Sequence, residues 1–391
     1  MLTKSRHYKI LISIIVVTIL LLVSLSWTQD QSRARRIVVF KESFKDMKRQ
    51  EALIKRFDGE IVKHLPLVNG TAITIPLSAE RKIQQRGEVL RIDYDAKVYA
   101  LRKTDTSGGK PGKPKPQPPQ VLPWGINRID AEYAWMNNLT GAGVKVAVLD
   151  TGIDYNHPDL MNNCKGGVNL VNPLKDYKDD NGHGSFVAGI IAGEDNDIGI
   201  VGVAPEAWLY GVKVLGASGS GYISDIIDGI SWSIENGMDI INMSLGSDYD
   251  VQSLHDACDT AANAGIYLVA AAGNDRGAVD YPGAYDSVIA VAATDINDVR
   301  PSWSSYGPEV DIAGPGVRVY SAWKNGGYKT ASGTSASAPH VAGTLALNLQ
   351  ADIFGTADDL PPTGWDIYTG YGLVDAGEAA TGIHDYGNDL P

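Results

Sequence analysis

Three short runs marked by glycine carry side chains that could act together. Asp150 lies in Val-Leu-Asp-Thr-Gly-Ile-Asp at 148–154, His183 in Gly-His-Gly-Ser-Phe-Val-Ala-Gly at 182–189, and Ser335 in Gly-Thr-Ser-Ala-Ser-Ala-Pro-His-Val-Ala-Gly at 333–343. A serine hydroxyl is a poor nucleophile at neutral pH and needs a base, which itself needs an orienting partner. The small neighbours of Ser335 would let a carbonyl carbon approach the hydroxyl. Each run taken alone reads equally well as a tight turn at the end of a strand or helix. Together they supply a nucleophile, a base and an acid, the set required for acyl transfer.

The order Asp150, His183, Ser335 resembles that of the subtilisin-like (peptidase S8) serine proteases, and the resemblance covers nearly everything after Pro119. It implies that Ser335 attacks a peptide carbonyl, that His183 moves the proton, and that Asp150 holds the imidazole. Asn274, in Ala-Ala-Ala-Gly-Asn at 270–274, matches the family's oxyanion-hole asparagine, with the Ser335 amide as second donor. Gly219-Ser220-Gly221 and Ser244-Leu245-Gly246 resemble the two segments that flank an extended substrate. Asp280 falls near the base of the pocket for the residue preceding the cut, where a carboxylate would favour Lys or Arg. The plainer reading, preferred here, is that Asp280 is solvated or paired with Arg276.

The resemblance also implies structural calcium, a cation that wants several oxygen ligands. Gln120, Asp159 and Asn196 match the side-chain ligands of the family's tight site, and the carbonyls of Glu194, Ile198 and Ile200 would complete it. A weaker site is expected around Gly283, Tyr285 and Val288. Ser185 and Phe186 depart from the usual threonine and histidine; Ser185 keeps the hydroxyl.

The remaining sequence supplies the elements that position these groups. Lys4, Arg6, His7 and Lys9 precede an apolar stretch and then Ser24 and Ser26, so 1–26 reads as a signal peptide, or as a signal anchor if uncleaved. Either way the protein is expected to be exported and extracellular. Residues 34–101 show the order β-α-β-β-α-β, with strands at 37–40, 60–65, 71–75 and 89–100. This small ferredoxin-like α/β unit resembles an inhibitory propeptide. Residues 102–119 read as a Pro/Gly/Lys-rich linker. From 120 to 391, apolar strands alternate with helices at 183–192, 223–236, 251–264 and 335–349. That pattern predicts an α/β catalytic domain with a mostly parallel central sheet and helices on both faces. The tail after Asp375 reads as short, acidic and superficial.

Charge divides along the chain. Residues 1–119 carry 23 Lys and Arg against 11 Asp and Glu, whereas 120–391 carry 11 against 35. The acidic balance of the latter argues against nucleic-acid binding and suits solubility and cation binding. The basic propeptide would act as chaperone and inhibitor of its acidic enzyme, which is expected to be a monomer acting on protein or peptide substrates. Cys164 and Cys258 fit no metal pattern; export permits a disulfide, but nothing in the sequence shows that they meet. Two other readings remain: a membrane-anchored processing protease with a basic-site preference, and a non-catalytic binding protein on the same scaffold.

Overall fold

The computed structural model describes residues 33–101 and 117–383. The expected export segment and most of the expected linker lie outside these residues. The chain divides into two compact units, one ending at Asp95 and the other beginning at Ala96.

The first unit contains β1 (Arg33–Phe40), α1 (Met47–Lys55), β2 (Glu60–Leu65), β3 (Gly70–Pro76), α2 (Leu77–Gln84) and β4 (Val89–Tyr94). The strands form an antiparallel sheet in the order β2-β3-β1-β4, which is the ferredoxin-like arrangement. One face of that sheet buries Val38, Phe40, Ile73 and Ile75 against Leu53 and Ile54 of α1 and Ile83 of α2. The side chain of Asp46 caps α1 by accepting from the Arg49 amide.

The expected strand 89–100 is two strands. Asp95 is buried and takes a 2.7 Å hydrogen bond from Nε of Arg35, which ends the first sheet there. The next four residues, β5 (Lys97–Ala100), pair within the second unit.

The second unit continues through α3 (Trp124–Arg128), α4 (Ala131–Met136), β6 (Lys145–Asp150), β7 (Cys164–Asn169), α5 (His183–Ala192) and β8 (Trp208–Lys213). Then come β9 (Ser220–Tyr222), α6 (Ile223–Glu235), β10 (Ile240–Met243), β11 (Leu245–Gly246), α7 (Gln252–Asn263) and β12 (Tyr267–Ala271). The last elements are β13 (Ile289–Thr294), β14 (Ile312–Pro315), the hairpin β15 (Val319–Trp323) and β16 (Gly327–Ala331), α8 (Thr334–Leu347) and α9 (Ala376–Thr381). Seven strands form one parallel sheet in the order β14-β13-β12-β10-β6-β8-β7.

The central strands read as unbroken apolar runs because both faces are covered. In β6, Val146 and Val148 join the core formed with α5 and α8. Leu149 points the other way, against Gly229 of α6. Cys164, at the edge of the sheet, and Cys258, buried in α7, are both free thiols. The segment after Asp375 is less superficial than its composition suggests. Asp375 caps α9 through the Glu378 amide, and Ala376, Gly377, Ala379 and Ala380 are buried.

Candidate active site

Asp150 closes β6 at the carboxyl end of the parallel sheet, where open α/β sheets present their sites. His183 opens α5. Its Nδ1 lies 2.8 Å from both carboxylate oxygens of Asp150. A carboxylate only accepts, so Nδ1 carries the proton and Nε2 presents its lone pair. That Nε2 is buried and has no hydrogen-bond partner. The approach is close enough that a Cβ on Gly184 would stand 2.0 Å from the Gly152 carbonyl oxygen, so only glycine fits there.

A residue absent from the sequence reading joins the two loops. Asp179 is buried, and its carboxylate accepts five hydrogen bonds. The donors are Thr151 Oγ1, beside Asp150, and the amides of Asn181, Gly182 and Ser185 together with Ser185 Oγ, which surround His183. Lys213, also buried, braces the same corner by donating to the carbonyls of Thr151 and Leu215 and to Asp180. The signal for Asp179 is an acid pair, Asp179-Asp180, in the turn just before the candidate histidine His183. Ser185 uses its hydroxyl twice, donating to Asp179 and accepting from the Asp154 amide. Phe186 packs edge-on against Trp323, 6.3 Å between ring centres.

Ser335 sits in the first turn of α8, where helix geometry leaves amides without carbonyl partners and favours negative charge. Pro339 lies inside this helix and has no N–H to give the carbonyl four residues earlier, which is that of Ser335. Ser244 Oγ donates to that carbonyl instead, at 3.0 Å, and is itself held by Asn242 Nδ2. The proline thus ties the helix of Ser335 to the segment after β10. Asn274 Oδ1 accepts from the amide and hydroxyl of Thr334, the residue before Ser335. Its Nδ2 is left buried without a partner, as a donor kept for a developing oxyanion would be.

The two expected flanking segments, 219–221 and 244–246, lie on either side of an extended chain. That chain is β5, paired antiparallel with β9 and with β11. The Ala100 amide donates to the Gly219 carbonyl and the Leu101 amide to the Ser244 carbonyl. A Cβ on Gly246 would lie 2.8 Å from Cδ1 of Leu101 and 2.9 Å from Oδ2 of Asp280, so these two side chains border one space. Asp280 is only 8% exposed, and Arg276 turns away to donate to the Ser302 carbonyl. The preferred expectation for Asp280, solvated or paired with Arg276, is therefore replaced by a buried carboxylate at the wall of the Leu101 pocket. The reason is that residues 272–283 fold back over β11, with the Ser247 and Tyr281 backbones bonded to each other.

A family model described as the subtilase family, Peptidase_S8, matches residues 141–360. The chain belongs to the subtilase family of serine endopeptidases. It is 37% identical over 395 residues to the minor extracellular protease Epr of Bacillus subtilis, covering 97% of this chain and 59% of that protein. It is 47% identical over 274 residues to subtilisin Savinase of Lederbergia lenta, covering 67% of this chain and 99% of that one. A thermostable alkaline protease of Halalkalibacterium halodurans is 50% identical over 229 residues, 58% of this chain and 63% of that protein.

The expected calcium ligands of this subtilase converge around one loop. Pro119 and Val121 bridge to Ile198 and Ile200, which brings Gln120 against 194–200. Gln120 Oε1 accepts from the Asn196 amide, and Asn196 Oδ1 from that of Ile198. Asp159 Oδ2 accepts from the Ile200 amide. Its Oδ1 is buried without a hydrogen bond of ordinary geometry, and burial raises this carboxyl above its usual range. Among the described residues, the amides of Gln120 and Val121 donate to the carbonyls of Asp197 and Gly199, the Gly199 amide donates to the Pro118 carbonyl, and the carbonyls of Glu194, Ile198 and Ile200 are left without a backbone donor. One carboxylate, two amide oxygens and three carbonyls suit a hard cation better than a transition metal. The weaker site is less open, since the Tyr285 carbonyl already accepts from Val288.

Proposed function

We propose that this subtilase is an exported serine endopeptidase made as a self-processed zymogen. The observation that carries the reading is the buried Asp150–His183 pair, whose free Nε2 accompanies an unpartnered Asn274 Nδ2 beside the serine turn. Ser335 Oγ attacks the substrate carbonyl while His183 Nε2 takes the proton. Asn274 Nδ2 and the Ser335 amide hold the oxyanion. His183 returns the proton to the leaving amine, and a water repeats the sequence to release the acyl group.

Extended substrates add a strand between β9 and β11, as β5 does, which supports cleavage after Leu101 as the first processing step. Residues 34–101 then serve as chaperone and inhibitor, and 102–119 are trimmed towards Gln120. Gln120, Asp159, Asn196 and the carbonyls of Glu194, Ile198 and Ile200 would hold calcium, which cross-links the loop to the new N-terminal segment. Export rests on the sequence of 1–26 and on the word "extracellular" in the name of the B. subtilis relative. Among the described residues no helix is long and apolar enough to cross a membrane.

The test is labelling of the purified protein by a serine-directed fluorophosphonate, beside Ser335→Ala. Labelling lost in the variant, together with N-terminal sequencing that places the first cut after Leu101, is the expected outcome. An unlabelled wild-type protein would return the reading to a binding protein on a protease scaffold.

A further inference from the structure

The pocket beside Leu101 holds a carboxylate with nothing to neutralise it. No hydrogen bond or ion pair is made by the Asp280 side chain among the described residues, although it is 8% exposed. Two glycines give it room. A Cβ on Gly273 would come within 2.9 Å of its Cγ and Oδ2, and one on Gly246 within 2.8 Å of its Cβ. The charged groups acting on it are Asp248, just after β11, and Asp275, next to Asn274; both carry its own sign. The cation closest in sequence, Arg276, is committed to the Ser302 carbonyl. Burial of an unpaired charge is costly, so such a carboxyl either stays protonated or takes a cation that arrives from outside.

We infer that this pocket accepts the side chain preceding the cut in two ways, taking lysine or arginine when Asp280 is ionised and an apolar side chain such as Leu101 when it is neutral. This rests on the endopeptidase reading of the same site. Lysine extends two atoms beyond the level of a leucine Cδ, roughly 2.5 Å, which carries its ammonium from the Leu101 position further into the space that Asp280 borders. Burial, with Asp248 and Asp275 adding like charge, pushes the Asp280 carboxyl up to about 7. Below that pH the pocket is uncharged and leucine enters without stranding a carboxylate. Above it the apolar side chain covers an ionised group, and a cation pairs with it. Self-processing after Leu101 is then favoured on the acid side, and cutting after basic residues on the alkaline side.

The experiment uses the mature enzyme and two fluorogenic peptides, identical except for lysine or norleucine before the cut. Norleucine keeps the lysine stem without its charge. The ratio of kcat/KM for lysine over norleucine is measured from pH 5.5 to 9.5. Any pH effect common to both substrates cancels in the ratio, and lysine itself stays charged throughout. The ratio should rise by about ten- to a hundredfold through a window near pH 7, the range for a close charge pair. In Asp280→Asn it should be flat and low. A flat ratio in the wild type, or an unchanged rise in Asp280→Asn, would overturn the inference while leaving the endopeptidase reading intact. Failure to cut either peptide, with no fluorophosphonate labelling, would overturn both.

Discussion

Asp179 and Asp280 are buried to a similar degree, yet their surroundings are opposite. Asp179 gathers five donors from the loops that carry Asp150 and His183. Asp280 gathers none and faces two other carboxylates. In the first case the fold uses a charge to fix geometry, because converging N–H groups replace the water that was lost. In the second the fold bears a charge that contributes nothing to its own order. The proposed catalytic corner is thus completed from within, whereas the proposed specificity pocket would be left for the substrate to complete.

The strongest way to break the internal side of this contrast is Ser335→Ala. Turnover should fall by about 10⁴-fold or more, since the nucleophile acts as part of a unit, and the precursor should stay uncut. Full processing of the variant, seen by gel and N-terminal sequencing, would remove the catalytic corner's meaning. Asp179→Ala, made in the inactive Ser335→Ala background to avoid self-digestion, should cost about 3–5 kcal/mol in denaturant unfolding because five donors lose their acceptor. A loss below about 1 kcal/mol would show that the hub is dispensable.

The calcium loop offers an intermediate case, an unpaired oxygen that a cation would satisfy. In the same background, calcium at 100 to 1,000 times its Kd should add about 3–4 kcal/mol. EDTA should reverse the gain, and Asp159→Ala should abolish the response. Equal melting temperatures with and without EDTA would remove the site.

A last test separates Asp179 from Asp280 most directly. The Asp280 carboxyl titrates near 7 in the folded protein, well above the ordinary carboxylate range that holds when unfolded. Its ionisation therefore penalises the fold fully above about pH 7 and not at all below the unfolded range. Asp280→Asn should raise the melting temperature at pH 9 and leave it nearly unchanged at pH 4. A drop at pH 9 would mean that the carboxylate has a stabilising partner.

The three residues proposed as a triad stand out in the sequence because each sits in a short glycine-marked run at the end of an element. Helices such as 183–192 and strands such as 145–150 were readable from unbroken apolar runs. β7, which reads Cys-Lys-Gly-Gly-Val-Asn, and β14, Ile-Ala-Gly-Pro, carry too little apolar pattern to announce a strand; their partners define them. The division of 89–100 depended on Arg35 reaching Asp95 across 60 positions, a long-range contact with no local signal. The same holds for Asp280. Its type and position were visible, but its isolation depends on where Arg276 turns, which only the folded loop decides.

The parallel sheet has a kinetic consequence. Val146 and Ile240 are neighbours in it although 94 positions separate them, and every other pairing in that sheet also spans a crossover. Each such pairing must close a long loop before its contacts return anything, so the search for this topology is slow. If the transition state lacks many of those late contacts, escape is slow as well, and the folded enzyme persists by the height of its barrier rather than by the depth of its well. A protein surrounded by copies of itself that cut unfolded chain would survive in proportion to that barrier, and its unfolding rate, not its melting temperature, would track its lifetime in concentrated solution.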